Sequence, residues 1–224
     1  MGIKIIWDAI IAGLFPRVCV GCGLEGGLFC KACEEKFKPA PAIVSAAGFH
    51  WFDYKEPIIA KLIQAWKFKY DRSAEGVLRR LMMARLKAFT DWSNDWSNGK
   101  PLVMIVPVPL TNQRSLERGF NQAEVLASWL GEWVDVPVVG LVKKIGSSGH
   151  QTDRTAVERK GSYLDSPFVV DSQLDLKLLL IESKTILLVD DVMTTGATLE
   201  AVKVAIKKVF PWINIQVVTL ALEK

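Results

Sequence analysis

The sequence predicts an α/β fold, a mostly parallel twisted sheet flanked by helices, with a small cysteine-bearing module at its N-terminus. Three observations predict it. From about residue 101, continuous apolar segments that read as strands buried on both faces alternate with segments of helical periodicity. Half of the 224 residues are apolar, ample for a buried core, which excludes disorder. All four cysteines fall between Cys19 and Cys33, too few for a disulfide-stapled secreted scaffold and grouped as one local site. The net charge of +4, from 28 basic against 24 acidic residues, permits an anionic ligand or nucleic acid without requiring either.

In chain order, MGIKIIWDAIIAGLFP puts Ile6, Ala9, Ile10, Gly13 and Leu14 on one helical face and ends at Pro16. Asp8 interrupts its apolar run, no small-x-small cleavage site follows, and it is too short to span a bilayer. It reads as a docking helix, with membrane contact as the competing reading. A cytoplasmic location and no transmembrane segment are expected. Residues 1–40 form the helix and cysteine module, closed by the stiff run Pro39–Pro41. Residues 41–224 form the second domain, divided into 41–100 and 101–224. In its first part AGFHWFDY reads as strand, and IIAKLIQAWKF and AEGVLRRLMMARLKAF keep helical spacing; DWSNDWSN, residues 91–98, reads as a surface loop. Then come a strand over Leu102–Val106, a helix over Asn121–Trp133 and a strand over Val136–Val142. A polar stretch reaches about Tyr163, before Phe168–Val170 and the strand Ile186–Val189. The segment Leu199–Phe210 is amphipathic, with Val202, Ala205, Ile206 and Val209 on one face, and Pro211 stops it before a last strand over Ile213–Leu220.

Cys19-Val-Gly-Cys22 and Cys30-Lys-Ala-Cys33 are two CxxC pairs. Each can turn tightly enough to aim two sulfurs at one point, and four thiolates satisfy tetrahedral Zn²⁺. Gly21 and Gly23 suit the first turn, and Arg17 and Lys31 offset the site's negative charge. Redox CxxC chemistry and disulfides are the competing readings. A closed four-thiolate site has no open position for catalysis, so the metal is expected to be structural.

ILLVDDVMTTGATLE, Ile186–Glu200, is the most informative stretch. A buried strand delivers Asp190 and Asp191 to its carboxyl end, where open α/β sheets place ligands. The backbone N–H groups of Met193, Thr194, Thr195, Gly196, Ala197 and Thr198, with the threonine hydroxyls, can surround a monophosphate at the positive end of the next helix. Gly196 lets the backbone approach without a Cβ in the way. The carboxylates can accept hydrogen bonds from vicinal sugar hydroxyls or bind hydrated Mg²⁺, so a ribose 5-phosphate is the natural occupant. No Walker ending and no GxGxxG are present, which disfavours nucleoside triphosphate and dinucleotide folds. A receiver domain also carries an acidic pair after a strand, but the 33 residues from 192 to 224 are too few for the rest of one.

Four apolar residues, two acids and TTGAT closely resemble the PRPP-binding signature of type I phosphoribosyltransferases. With the cysteine pairs, the chain resembles the ComF family of competence-associated phosphoribosyltransferase-like proteins over nearly its whole length. VPVPLTNQRSLERGFNQAEVLA, Val106–Ala127, is similar to that family's central block; Lys67-Phe68, Gln151 and Glu158-Arg159 resemble other family positions. At Gly161-Ser162-Tyr163 and Ser166-Pro167-Phe168 the chain departs from the family pattern.

The resemblance implies a type I phosphoribosyltransferase fold bearing a zinc ribbon, and a link to DNA uptake in competence, to single-stranded DNA and DNA-uptake proteins, or to recombination. It implies that PRPP binds with Mg²⁺. It also implies a pyrophosphate-gripping turn at Pro109, Leu110 and Thr111 with Arg114 and Arg118, for which solvated loop arginines are the alternative. Asn121 and Gln122 are expected to cap or brace the next helix. Residues 146–163, with Gln151 and Arg159, read as a lid or as an ordinary basic loop, and His150 as a proton carrier or a bystander. Chemistry, if present, displaces pyrophosphate from ribose C1 by a nitrogen nucleophile. Glutamine-derived ammonia is excluded, since Gly2 follows Met1 and the zinc pairs claim every cysteine. The rival is a non-catalytic PRPP-responsive module that binds single-stranded DNA or a protein. Trp51, Phe52, Lys55, Trp66, Lys67, Phe68, Lys69 and Tyr70 are its interleaved aromatic and basic set, with burial of the aromatics as the competing reading.

Overall fold

The computed structural model describes residues 17–68, 72–97, 101–110, 119–144, 167–171 and 184–223. The expected N-terminal helix, Thr111, Arg114, Arg118, His150, Gln151 and Arg159 lie outside the described residues.

After the first CxxC turn, helix α1 (Lys31–Lys36) starts at Cys30 and carries Cys33. Strands β1 (Ile43–Ser45) and β2 (Gly48–Asp53) follow, then helices α2 (Pro57–Phe68), α3 (Arg72–Met83) and α4 (Leu86–Ser97). Next come β3 (Leu102–Pro107), α5 (Gln122–Val134), β4 (Val142–Lys144), β5 (Phe168–Val170), β6 (Thr185–Met193), α6 (Ala197–Val209) and β7 (Asn214–Leu222). The main sheet has the order β1-β2-β7-β6-β3; only the β1/β2 pair is antiparallel. The mostly parallel sheet flanked by helices is therefore as expected. Strands β1 and β2, from the 41–100 segment, belong to the same sheet as the strands of 101–224.

Two apolar layers cover the sheet. Leu187, Val189, Val218 and Leu220 face one layer with Leu62, Trp66 and Trp129, while Ile186, Leu188 and Val217 face the other with Leu199, Val202 and Ile206. This is the period-2 alternation of a strand buried on both faces. The cysteine module joins the first layer through Cys19 and Phe29. It is also tied polar-side: Arg80 donates two hydrogen bonds to Glu34, at 2.8 and 2.9 Å, and Lys61 Nζ donates to the Val20 carbonyl at 3.3 Å. Arg85 donates to the carbonyls of Trp51, Pro39 and Ala40 and lies over the Phe52 ring, which fastens the proline linker.

Three expectations need correction. DWSNDWSN is not a loop, because residues 91–97 continue α4 and Trp92 packs on Phe49 and Phe89 with ring centroids 5.3 and 5.9 Å apart. Its polar composition is that of an amphipathic helix with one apolar side. The expected strand Val136–Val142 is shorter: one parallel bridge joins Val138 to Ile105, and the chain leaves before β4 begins at Val142. Pro137 has no N–H and contributes only its carbonyl, to Ile105 N, so this edge accepts a bridge rather than a ladder. Finally, β6 does not end at Val189. Its pairing with β7 continues to Met193↔Leu222, so both aspartates lie within the strand.

Candidate functional site

The site stands at the carboxyl end of β6. Beyond Met193 a short exposed turn of Thr194 and Thr195 leads to Gly196, the N-cap of α6, at φ 76° and ψ 1°. That left-handed geometry is what requires glycine. A Cβ there would meet Met193 Sδ at 3.6 Å, an ordinary contact, so backbone conformation rather than room selects the residue. Gly196 brings no capping side chain; Thr195 Oγ1 accepts from Ala197 N at 3.4 Å, and the other first-turn N–H groups are directed at the turn. Asp190, Met193, Thr194, Thr195, Gly196, Ala197 and Thr198 all line one open pocket of about 40 Å³. A larger cavity of about 220 Å³ lies by Pro39, Phe52, Asp53, Lys55 and Glu56, but its acids suit an anion poorly.

The two aspartates are not equivalent. Successive strand residues face opposite sides of a sheet. Asp190 shares the face of Leu188, pairs across with Thr219 and borders the pocket. Asp191 shares the face of Val189, where α2 brings Lys67 Nζ to 2.8 Å from its Oδ2. Lys67 was expected only as part of a family segment and a possible nucleic-acid set. Its place beside Asp191 is a tertiary fact that no local pattern announces.

Strand β3 runs parallel beside β6, so its end lies at the same edge. Val108 N donates to the Val189 carbonyl at 2.8 Å, and Pro109 and Leu110 follow, half-buried, next to the acids. Asn121 caps α5 as expected: its Oδ1 accepts from Ala123 N at 3.0 Å, while Nδ2 donates to the Val108 carbonyl at 3.1 Å. The helix start thereby braces the turn. Gln122 is fully buried.

The four cysteine sulfurs all lie within 4.8 Å of one another, and no disulfide joins them. Cys22 Sγ and Cys30 Sγ are 3.8 Å apart, the edge expected of a tetrahedron with metal–sulfur bonds of about 2.3 Å. Gly21 is needed for closeness, since a Cβ would meet Cys33 Sγ at 2.9 Å. Burial raises the Cys19 thiol, but backbone N–H groups of Cys30, Cys22 and Gly21 aimed at the sulfur outweigh it and bring its pKa down to about 6. Hydrogen bonding with Cys30, then burial and the other cysteines, pushes Cys33 up to about 12. The Cys19 thiolate forms readily beside Cys33, which resists becoming a second, and a divalent cation removes that resistance. The donor set fits a closed metal centre.

Of the aromatic set weighed for base stacking, Trp51, Phe52 and Trp66 are 0%, 1% and 1% exposed. They are core. Trp66 stacks on Trp129 at 5.9 Å, and Trp51 on Phe89 at 5.5 Å. Among the described residues no helix is long and apolar enough to cross a membrane.

The phosphoribosyl transferase domain family matches residues 91–223. The chain is 28% identical to competence protein F of Haemophilus influenzae, over 87% of this chain and 80% of that protein. It is 31% identical to the DNA utilization protein YhgH of Salmonella typhi, over 81% of this chain and 74% of that one. Identity to competence protein ComFC of Bacillus subtilis is 34%, over 49% of this chain and 41% of the relative.

Proposed function

The chain belongs to the ComF family of phosphoribosyl transferase domain proteins, and on that premise we propose that it binds PRPP or a related ribose phosphate with Mg²⁺ at the carboxyl end of β6. One observation carries this reading. The pocket joins a carboxylate, Asp190, to a helix N-terminus whose turn is set by Gly196. A 5-phosphate accepts hydrogen bonds from the N–H groups of Thr194–Thr198, and the sugar hydroxyls donate to the acid pair, with Asp190 at the pocket. In this reading Pro109, Leu110 and Thr111, with Arg114 and Arg118, are the candidates to bind the pyrophosphate, and Gln151 and Arg159 are the candidate lid residues. Mg²⁺ supplies charge neutralisation of the pyrophosphate when bound. If transfer occurs, a nitrogen nucleophile bonds to ribose C1 as the C1–O bond to pyrophosphate breaks, and stabilising the departing anion is the main catalytic contribution.

Cys19, Cys22, Cys30 and Cys33 hold a structural Zn²⁺ in this reading, with no open position for substrate. The relatives' names, competence protein and DNA utilization protein, support a role in DNA handling; in this reading the protein is cytoplasmic and its partners are single-stranded DNA or DNA-uptake proteins. Any DNA surface excludes the buried Trp51, Phe52 and Trp66.

Calorimetry with Mg²⁺ and PRPP tests the site. Saturable binding is expected in the natural protein and its loss in the Asp190→Asn/Asp191→Asn double variant; undiminished binding in that variant would sink the assignment. Pyrophosphate release across a panel of nucleobases and amines tests transfer, and silence across the panel favours the non-catalytic ligand-responsive reading. DNA affinity should fall steeply with added salt if phosphates carry it.

A further inference from the structure

The ion pair beneath the pocket separates the roles of the two acids. Lys67 Nζ lies 2.8 Å from Asp191 Oδ2, and the two side chains are only 13% and 14% exposed. The other Asp191 oxygen, Oδ1, accepts from Val192 N at 2.5 Å. Both carboxylate oxygens therefore have a partner within the protein. Asp190, whose Oδ1 accepts from Asp191 N at 2.8 Å, turns to the opposite face and lines the phosphate pocket, which Asp191 does not. Helix α2 holds Lys67 in place: its neighbour Trp66 is buried and stacked on Trp129 of α5 with an interplanar angle of 15°. Lysine and aspartate come from elements far apart in the chain and meet directly behind the place where a polyanion would sit.

We propose that Lys67 is the resident counter-ion of the acid pair, a positioning residue that holds Asp191 against α2 and leaves Asp190 as the carboxylate that meets the sugar. The inference rests on the sugar-phosphate reading above. Its physical basis is charge balance. Two adjacent carboxylates near a phosphate cradle would repel the ligand the cradle attracts, and a cation paired with one of them removes half of that repulsion.

The test is calorimetry of Mg²⁺-PRPP binding to full-length variants at low and high salt, with thermal denaturation alongside. Lys67→Gln is expected to bind about tenfold more weakly at low salt, with part of the loss recovered at high salt as the uncovered carboxylate is screened. Lys67→Arg recovers most of the affinity, because it keeps the cation. Asp191→Asn weakens binding far less than Asp190→Asn, and adding Asp191→Asn to Lys67→Gln improves binding over Lys67→Gln alone. A purely packing role for Lys67 predicts neither the salt response nor the rescue by arginine. The proposal is overturned if Asp191→Asn costs as much affinity as Asp190→Asn, or if Lys67→Gln binds like the natural protein. Should the natural protein not bind PRPP at all, the sugar-phosphate reading falls and the melting temperatures decide the pairing. Losses in Lys67→Gln and Asp191→Asn that do not add in the double variant support it; additive losses overturn it.

Discussion

The cysteine module and the phosphate loop each turn on a glycine, yet the glycines serve different needs. Gly21 is there for space, because any Cβ would strike Cys33 Sγ at 2.9 Å; Gly196 is there for conformation, because its φ is 76° and nothing crowds it. The module draws its four sulfurs from fifteen consecutive positions, 19 to 33, close enough together to hold a metal ion. The loop is also local, but its electrostatic setting is not: Lys67 of α2 neutralises Asp191 of β6. A site that closes on itself is written in one stretch of chain. One that opens to a ligand takes its charge balance from wherever the fold can supply it.

The sharpest way to break this comparison is to remove the metal. Full-length protein treated with a strong chelator, or carrying Cys19→Ser, is expected to lose order in residues 17–40 while the sheet persists. Binding of structural zinc contributes on the order of 10 kcal/mol in small thiolate modules, far above any other interaction there. Proteolysis confined to the module, with zinc stoichiometry measured in parallel, checks this; an intact module at zero metal content refutes it. Release should be easier at lower pH, since protons compete for the thiolates.

Next in size is Asp190→Asn, expected to reduce PRPP affinity by about a hundredfold, roughly 2.7 kcal/mol, with little change in melting temperature. The two glycines come third. Both Gly21→Ala and Gly196→Ala should cost about 1–2 kcal/mol, but they should part company in readout. The first should lower zinc affinity and leave ligand binding alone, and the second should do the reverse; equal effects on both functions would erase the distinction. Smallest is Arg80→Ala. Arg80 and Glu34 form a bidentate pair between module and helix α3, with side chains 59% and 25% exposed, and the loss should stay below about 1 kcal/mol in denaturant titration.

Much of the phosphate loop was legible because its parts are adjacent: an apolar run, two acids, two threonines and a glycine before an amphipathic helix. The extent of β6 was not. Apolar periodicity stops at Val189, whereas hydrogen bonding with β7 carries the strand on to Met193, and Glu223 N closes it on the Met193 carbonyl at 2.8 Å. That extension is what turns Asp190 and Asp191 to opposite faces. DWSNDWSN misled for a related reason, as the packing of Trp92 on Phe49 and Phe89 decides the helix and the repeat's polar residues conceal it.

By itself the sequence determined the cysteine centre, the alternation of strands and helices, and the phosphate turn, because each depends on residues within a few positions of one another. Only the tertiary structure decided which acid borders the pocket, which cation answers the other, and that the tryptophans of the aromatic set are core. Those outcomes depend on strand register and on a helix crossing the sheet, and neither is encoded in any single stretch of chain.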